Sequence, residues 1–353
     1  MNIVDLARPE IRRLRPYEAA IQVTDTIRLN ANEAPWTSGA DPFRRPLNQY
    51  PEIRPARLRD ALAARFGASP AGLLVTRGTS EAIDLLVRAF CRAGIDNIVT
   101  TRPTFSMYRH YAEVQGAAIR EVPADPDRDF VPDIDGLLGV CDANSRLVFL
   151  CSPNNPTGTV LPRKLIESVL DARHAGSVVV VDEAYIEFSE EKSVVELLDA
   201  YPNLVVLRTL SKALAFAGAR CGAVMGPPGV IDLLNAIQAP YAMSTPVVEC
   251  VEDALSDRWL NEANRKVAEI VAARGELAEA LGRLSFVERV WPSEANFLLV
   301  QVADVDAVMA ASRDAGILLR YFGGDLGNCV RISVGTTAEN RALLDALTTL
   351  DER

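Results

Sequence analysis

Lysine is nearly missing from this chain: four occur in 353 residues, at positions 164, 192, 212 and 266. Histidine is rarer still, with only His110 and His174. Two histidines leave little from which to build a His-based metal site, so no metal is expected, and a Ser-His-Asp triad would have to use one of the pair. The six cysteines at 91, 141, 151, 221, 250 and 329 form no Cys-x-x-Cys pair and are expected as buried free thiols. Positive charge is also in deficit. A formal net charge of −10 argues against non-specific nucleic-acid binding, which needs clustered Lys and Arg to neutralise phosphates. No apolar run approaches the roughly 20 residues that span a bilayer. The segment Met1-Asn2-Ile3-Val4-Asp5-Leu6-Ala7-Arg8 has neither the basic stretch nor the apolar core of a secretory signal. Small molecules are the expected partners, with no nucleic acid and no membrane, and the cytoplasm is the expected location.

What is present is the material of a large globular protein, 49% apolar and 24% charged. The length exceeds the size at which one core stops growing, so a large domain with a smaller companion is expected. From Leu73 to Val181 short apolar runs alternate with amphipathic stretches. Strands are expected at 73–76, 98–100, 118–122, 147–150 and 178–181, with helices at 80–91, 105–114 and 163–174. Runs apolar at every position, such as Val178-Val179-Val180-Val181, belong to parallel sheets covered by helices on both faces, which makes this an α/β domain. Further strands are expected at 204–207 and 221–225, then a largely helical stretch from 230 to 281. The remainder, with strands at 286–290, 297–302 and 330–334 and helices at 305–315 and 338–350, reads as a smaller α+β domain. The first forty residues look irregular. No internal repeat is visible.

Four segments carry chemistry. Thr76-Arg77-Gly78-Thr79-Ser80-Glu81 turns from a strand into a helix, where free backbone N–H groups and the helix dipole suit a phosphate; a plain helix cap would use the same residues. Cys151-Ser152-Pro153-Asn154-Asn155-Pro156-Thr157-Gly158 crowds two asparagines between prolines at the carboxyl end of a strand, where ligands bind in doubly wound sheets. Asp182 ends the most apolar strand, and a carboxylate there requires a cation or hydrogen-bond donors, whether from a ligand or from a capping role. Thr209-Leu210-Ser211-Lys212 places one lysine between an apolar strand and the glycine-bearing Gly218-Ala219-Arg220-Cys221-Gly222, while Lys164, Lys192 and Lys266 stand in solvated company. Together these segments supply an amine for an aldehyde, an acid for a pyridinium nitrogen, donors for a phenolic oxygen and a phosphate cradle, the requirements of pyridoxal 5'-phosphate.

With Leu29-Asn30-Ala31-Asn32-Glu33, Tyr50-Pro51, Pro103-Thr104-Phe105 and Val330-Arg331-Ile332-Ser333-Val334-Gly335 added to those motifs, the chain resembles the histidinol-phosphate aminotransferases, pyridoxal-phosphate enzymes of fold type I, from about residue 5 to its end. The resemblance implies a large domain with a mostly parallel seven-stranded sheet flanked by helices, plus a smaller α+β domain. Residues 1–40 would form an amino-terminal arm joining the small domain, 41–260 the large domain and 261–353 the small one. It implies Lys212 as the amine condensed with the cofactor and the later proton carrier, and Asp182 as the partner of the pyridinium. Asn155 and Tyr185 would hold the phenolic oxygen, and Phe105, commonly tyrosine in the family, would stack on the ring. Gly78, Thr79, Ser80, Ser211 and Arg220 would cradle the phosphate, with Tyr50 reaching in from a second subunit of a homodimer; Ser80 replaces the family's usual acid. Arg331, helped by Arg320 and Tyr17, would take the anionic end of the substrate, with Asn155 beside it. Asn32 or Glu33 would meet an imidazole.

The implied reaction is a ping-pong transamination, L-histidinol phosphate and 2-oxoglutarate exchanging with imidazole acetol phosphate and L-glutamate, in histidine biosynthesis. Aromatic-amino-acid aminotransferases and a phosphothreonine decarboxylase share most of the cofactor motifs and stand as alternatives. A silent regulator on the same fold would lack Lys212 or Asp182, and both are present. A nucleotide-binding oxidoreductase would need a G-x-G-x-x-G after its first strand, and none is there.

Overall fold

The computed structural model describes residues 2–17, 22 and 27–351. The first helix, α1 (Ala56–Phe66), precedes β1 (Leu73–Thr76), α2 (Thr79–Phe90), β2 (Asn97–Arg102), α3 (Met107–Gln115), β3 (Ala118–Pro123) and α4 (Ile134–Gly139). Next come β4 (Ser145–Cys151), α5 (Arg163–Ala172), β5 (Val178–Asp182), β6 (Leu204–Thr209) and β7 (Gly222–Met225). Three helices follow, α6 (Pro228–Ile237), α7 (Thr245–Ala254) and α8 (Asp257–Leu281). The chain ends with β8 (Val287–Val290), β9 (Phe297–Val302), α9 (Val305–Asp314), β10 (Arg320–Gly323), β11 (Leu326–Ser333) and α10 (Thr337–Asp351).

The first seven strands form one sheet in the order β1-β7-β6-β5-β4-β2-β3, in which only β7 runs against its neighbours. Strand alternation sends the two faces of this sheet into separate cores. Leu147, Phe149, Val178 and Val180 pack with α2, α3 and α6, whereas Val148, Leu150, Val179 and Val181 pack with α1, α5 and α7. All four valines of β5 are completely buried, which is why that strand shows no polar alternation. The last four strands form an antiparallel sheet, β10-β11-β9-β8, closed by α8, α9 and α10 over Leu277, Leu281, Val300, Val308, Ile332 and Leu343.

Three elements depart from the sequence expectations. Helix α1, unmarked in the sequence reading, buries Leu58, Leu62 and Phe66 at four-residue spacing. The final strand hairpin is longer than expected, because the exposed β10 escapes detection by hydrophobic pattern and pairs with β11. The first turns of the arm, expected to join the small domain, lie on the large sheet's helices: Ile3, Leu6, Ala7 and Ile11 are buried in the cluster formed by α2 and α6. Among the six thiols Cys91, Cys151, Cys221 and Cys329 are buried, Cys141 is half-buried and Cys250 is exposed. Among the described residues no helix is long and apolar enough to cross a membrane, and no group of His, Cys, Asp or Glu is gathered to hold a metal ion.

The pairing of edge strand β1 with β7 brings Gly78, just past the end of β1, against Gly222 at the start of β7. A Cβ on Gly222 would sit 2.7 Å from the Arg208 carbonyl oxygen and 3.0 Å from the Gly78 Cα, both main-chain atoms with no rotamer to yield. Gly222→Ala is therefore expected to lower unfolding free energy by about 1–3 kcal/mol in urea denaturation. Gly218→Ala, with open space around its position, is expected to leave it unchanged.

Candidate active site

The carboxyl ends of β2, β4, β5 and β6 open into a cleft of about 610 Å³, roofed by the β10–β11 hairpin of the second sheet. Parallel strands deliver their last residues to one edge, which is why positions far apart in sequence meet here. Thr79, Ser80, Phe105, Asn155, Asp182, Tyr185, Ser211, Lys212, Arg220, Arg320 and Arg331 all line it. Gly78 lies just behind.

At the base, Asp182 ends β5 and is almost completely buried. Its carboxylate accepts the Tyr108 hydroxyl at 2.9 Å and the Ala184 N–H at 3.2 Å. Burial pushes this carboxyl up to about 6, against the pull of those two donors and of Lys212. Lys212 enters from the segment after β6. Its side chain is exposed to the cleft, yet the surrounding walls desolvate the amine enough to lower its pKa, with help from the positive Arg331 and Arg220. Its Nζ lies 5.5 Å from the centre of the Tyr185 ring. Lowering an amine's pKa makes it a more usable nucleophile and base.

One wall carries Tyr185 and Asn155. Asn155 donates to the Tyr185 hydroxyl at 3.3 Å and accepts Arg331 Nη1 at 2.5 Å, so one amide joins β4, the loop after β5 and β11. Burial raises the Tyr185 phenol well above its ordinary value, keeping it a neutral donor. The loop bearing Tyr185 is pinned from below: Glu183 accepts Ser193 Oγ and the Val194 N–H, and Arg208 reaches Glu187 at 2.6 Å. Arg331 lies over Phe297 at 5.1 Å and Phe322 at 5.3 Å, and Arg320 lies over Phe322 at 5.3 Å. Burial lowers the pKa of Arg331, and its Nε is buried with no protein partner among the described residues. A paired, planar cation with an unused donor suits an anion arriving from the cleft.

At the opposite end Gly78 takes φ +80°, and a Cβ there would lie 2.9 Å from Arg220 Nη2. Arg220 donates to Ser211 Oγ at 3.3 Å and to the Arg77 carbonyl at 3.4 Å, so the guanidinium, the Ser211 hydroxyl and the first turn of α2 border one small space. The N–H groups of that first turn have no partner within the helix. Glu81 locks the turn by accepting the Arg77 N–H at 2.6 Å and the Arg77 Nη2 at 2.7 Å.

These features fit pyridoxal phosphate: a buried carboxylate in need of a cation, an amine of lowered pKa, a phenol and an amide side by side, and an anion cradle at a helix start. Tyr17, Asn32, Glu33 and Tyr50 do not line the same chain's cleft. Tyr50, half exposed, stacks on Tyr241 at 4.6 Å, and Tyr17 meets Tyr241 edge-on at 6.5 Å. Glu33, expected to meet an imidazole, accepts Arg28 Nη2 at 2.5 Å and the Tyr50 N–H at 2.8 Å; Asn32 holds φ +55° beside it. Sequence reasoning missed Tyr108, Glu183 and Phe322. Tyr108, in the first turn of α3, meets Phe105 in the segment just before that helix edge-on at 5.7 Å.

A family profile described as aminotransferase class I and II matches residues 29–347. The histidinol-phosphate aminotransferase of Xylella fastidiosa (strain 9a5c) is 42% identical over 352 residues, covering 98% of this chain and 96% of the relative. Among solved structures, the Sinorhizobium meliloti histidinol-phosphate aminotransferase in complex with pyridoxal-5'-phosphate superposes with a TM-score of 0.75 at 28% identity, over 87% of this chain and 84% of that one. The L-threonine-O-3-phosphate decarboxylase of Porphyromonas gingivalis superposes with 0.74 at 25% identity, over 87% and 92% of the two chains.

The Asp182 carboxyl sets a pH dependence in the cofactor-free protein. Its pKa is raised on folding, from 3.8 to about 6, so the folded state holds this proton more tightly than the unfolded state. The corresponding stability is present below pH 4 and lost as pH rises through 6. Compared with Asp182→Asn, the wild-type chain is expected to lose about 3 kcal/mol of unfolding free energy between pH 4 and 7, measured by urea denaturation.

Proposed function

Because this chain belongs to the class I and II aminotransferases, and within them to the histidinol-phosphate aminotransferase family, we propose that it interconverts L-histidinol phosphate and 2-oxoglutarate with imidazole acetol phosphate and L-glutamate, in the cytoplasm, as a step of histidine biosynthesis. The observation that carries the proposal is the convergence of Lys212, Asp182, Tyr185, Asn155 and Arg331 on one cleft, in a chain that matches these relatives over nearly its whole length.

Pyridoxal phosphate, when bound, supplies an aldehyde that traps the donor's amine and a ring that takes up the electron pair left when the Cα proton departs. Lys212 would anchor it and would carry that proton, a task for which its lowered pKa suits it. Asp182 would pair with the ring nitrogen and favour its protonated form. Tyr185 and Asn155 would serve the phenolic oxygen, and Phe105 would offer a stacking face. Thr79, Ser80, Ser211 and Arg220 would hold the phosphate at the start of α2. Arg331 takes the substrate's anionic end, with Arg320 on the far side of Phe322. One guanidinium fork accepts the carboxylate of glutamate in one half-reaction and the phosphate of histidinol phosphate in the other.

Tyr50 belongs to the cleft of a second copy in this proposal. Its ties to Glu33 and, through Tyr241, to Tyr17 mean that the three residues travel together as one patch of the homodimer interface. The exposure of Ile27 and Leu29 at 90% and of Trp36 at 70% supports an interface along this segment.

An absorbance spectrum of the purified protein tests the cofactor. A bound-chromophore band that shifts on adding glutamate is expected, and a colourless protein that takes up no pyridoxal phosphate would sink the proposal. Lys212→Ala is expected to abolish amino-group exchange. Assays of histidinol phosphate beside phenylalanine and phosphothreonine are expected to rank the first far ahead, and release of carbon dioxide from phosphothreonine would favour the decarboxylase. Arg331→Lys keeps the charge but loses the fork, and kcat/KM for both substrates is expected to fall roughly 10- to 100-fold, the range of a charged hydrogen bond.

A further inference from the structure

We propose that Tyr108 is the positioning residue for Asp182, fixing its carboxylate as the anion that a protonated ring nitrogen requires; this rests on the proposed use of pyridoxal phosphate. Tyr108 stands in the first turn of α3 and is completely buried. Its ring stacks on Phe149 of β4 at 4.6 Å with an interplanar angle of 11°, and meets Phe105 edge-on at 5.7 Å. Clamped on two sides, the phenol has one place for its oxygen, 2.9 Å from Asp182 Oδ2. A donor preset by aromatic packing loses little freedom in making its bond.

The groups around the carboxylate leave Tyr108 without a substitute. From β4 comes Cys151, in register with Asp182, whose thiol donates to the Pro153 carbonyl at 3.5 Å and is pushed up to about 12 by burial. Tyr185, from the loop after β5, is raised by burial, accepts the Asn155 amide and makes no hydrogen bond to Asp182. Lys212, from the segment after β6, is the cation whose charge favours the Asp182 anion, and its own pKa is lowered. Without the Tyr108 hydroxyl, Asp182 would keep one hydrogen bond, from Ala184 N–H, against a burial that favours the neutral acid. A protonated Asp182 cannot stabilise a protonated ring nitrogen. The same side chain also sets the edge of Phe105, so the ring's stacking face and the acid at its nitrogen share one support.

Tyr108→Phe removes the hydroxyl and keeps both ring contacts. In the cofactor-free protein the Asp182 carboxyl band, identified by infrared difference against Asp182→Asn, is expected to titrate near 6 in the wild type and about one unit higher in Tyr108→Phe, a tenfold change in proton affinity. Affinity for added pyridoxal phosphate is expected to fall about fivefold near pH 6 and to recover toward pH 8.5, where the carboxylate ionises without help. An unchanged midpoint, or an affinity loss equal at every pH, would mean that Tyr108 only packs and would overturn the inference. Should the variant not fold, wild-type chain made with 3-fluorotyrosine carries a more acidic phenol; its midpoint is expected to fall, and a fixed midpoint overturns the inference equally. Failure of the wild type to take up pyridoxal phosphate would instead sink the proposed function, and the carboxyl titration would still report whether Tyr108 controls Asp182.

Discussion

The burial of the Asp182 carboxylate is the constraint on which the large domain turns. A charge at the end of an all-valine strand is unfavourable by itself, and the fold surrounds it with a hydrogen-bonded phenol, a backbone N–H and a lysine across the cleft. Each comes from a different part of the chain: α3, the loop after β5 and the segment after β6. They can meet only because the parallel strands end on one edge, so the sheet topology and the electrostatics of the site are a single arrangement.

A second arrangement of the same kind holds the loop that follows. Glu183, next to Asp182 in sequence, points away from the cleft and is satisfied by Ser193 and Val194, with Arg208 close by. Asp182 and Glu183 thus divide two tasks between neighbouring acids. One faces the chemistry, and the other ties down the segment that presents Tyr185.

Much of this was legible in the sequence. The unbroken valine run of β5, the glycine turn before α2 and the Pro-Asn-Asn-Pro segment each state their local structure, and their order along the chain places them at strand ends. Lys212 was readable because only three other lysines compete with it. Tyr108 was not, since an aromatic residue within a helix pattern looks like ordinary core, and its hydroxyl gains meaning only when α3 is laid over β5. Phe322 was hidden for the opposite reason: β10 is exposed and short, so no apolar rhythm marks it. The arm gave least, because its turns carry few periodic residues, and Tyr17, Asn32 and Glu33 sit together with Tyr50 away from their own chain's cleft.

The amide of Asn155 touches Tyr185 beneath the first sheet's edge and Arg331 on the second sheet. That single side chain uses both ends of its amide at once, the NH2 on the phenol and the oxygen on the guanidinium, so a residue lacking either end would deprive a group on one sheet or the other of its tie across the cleft wall.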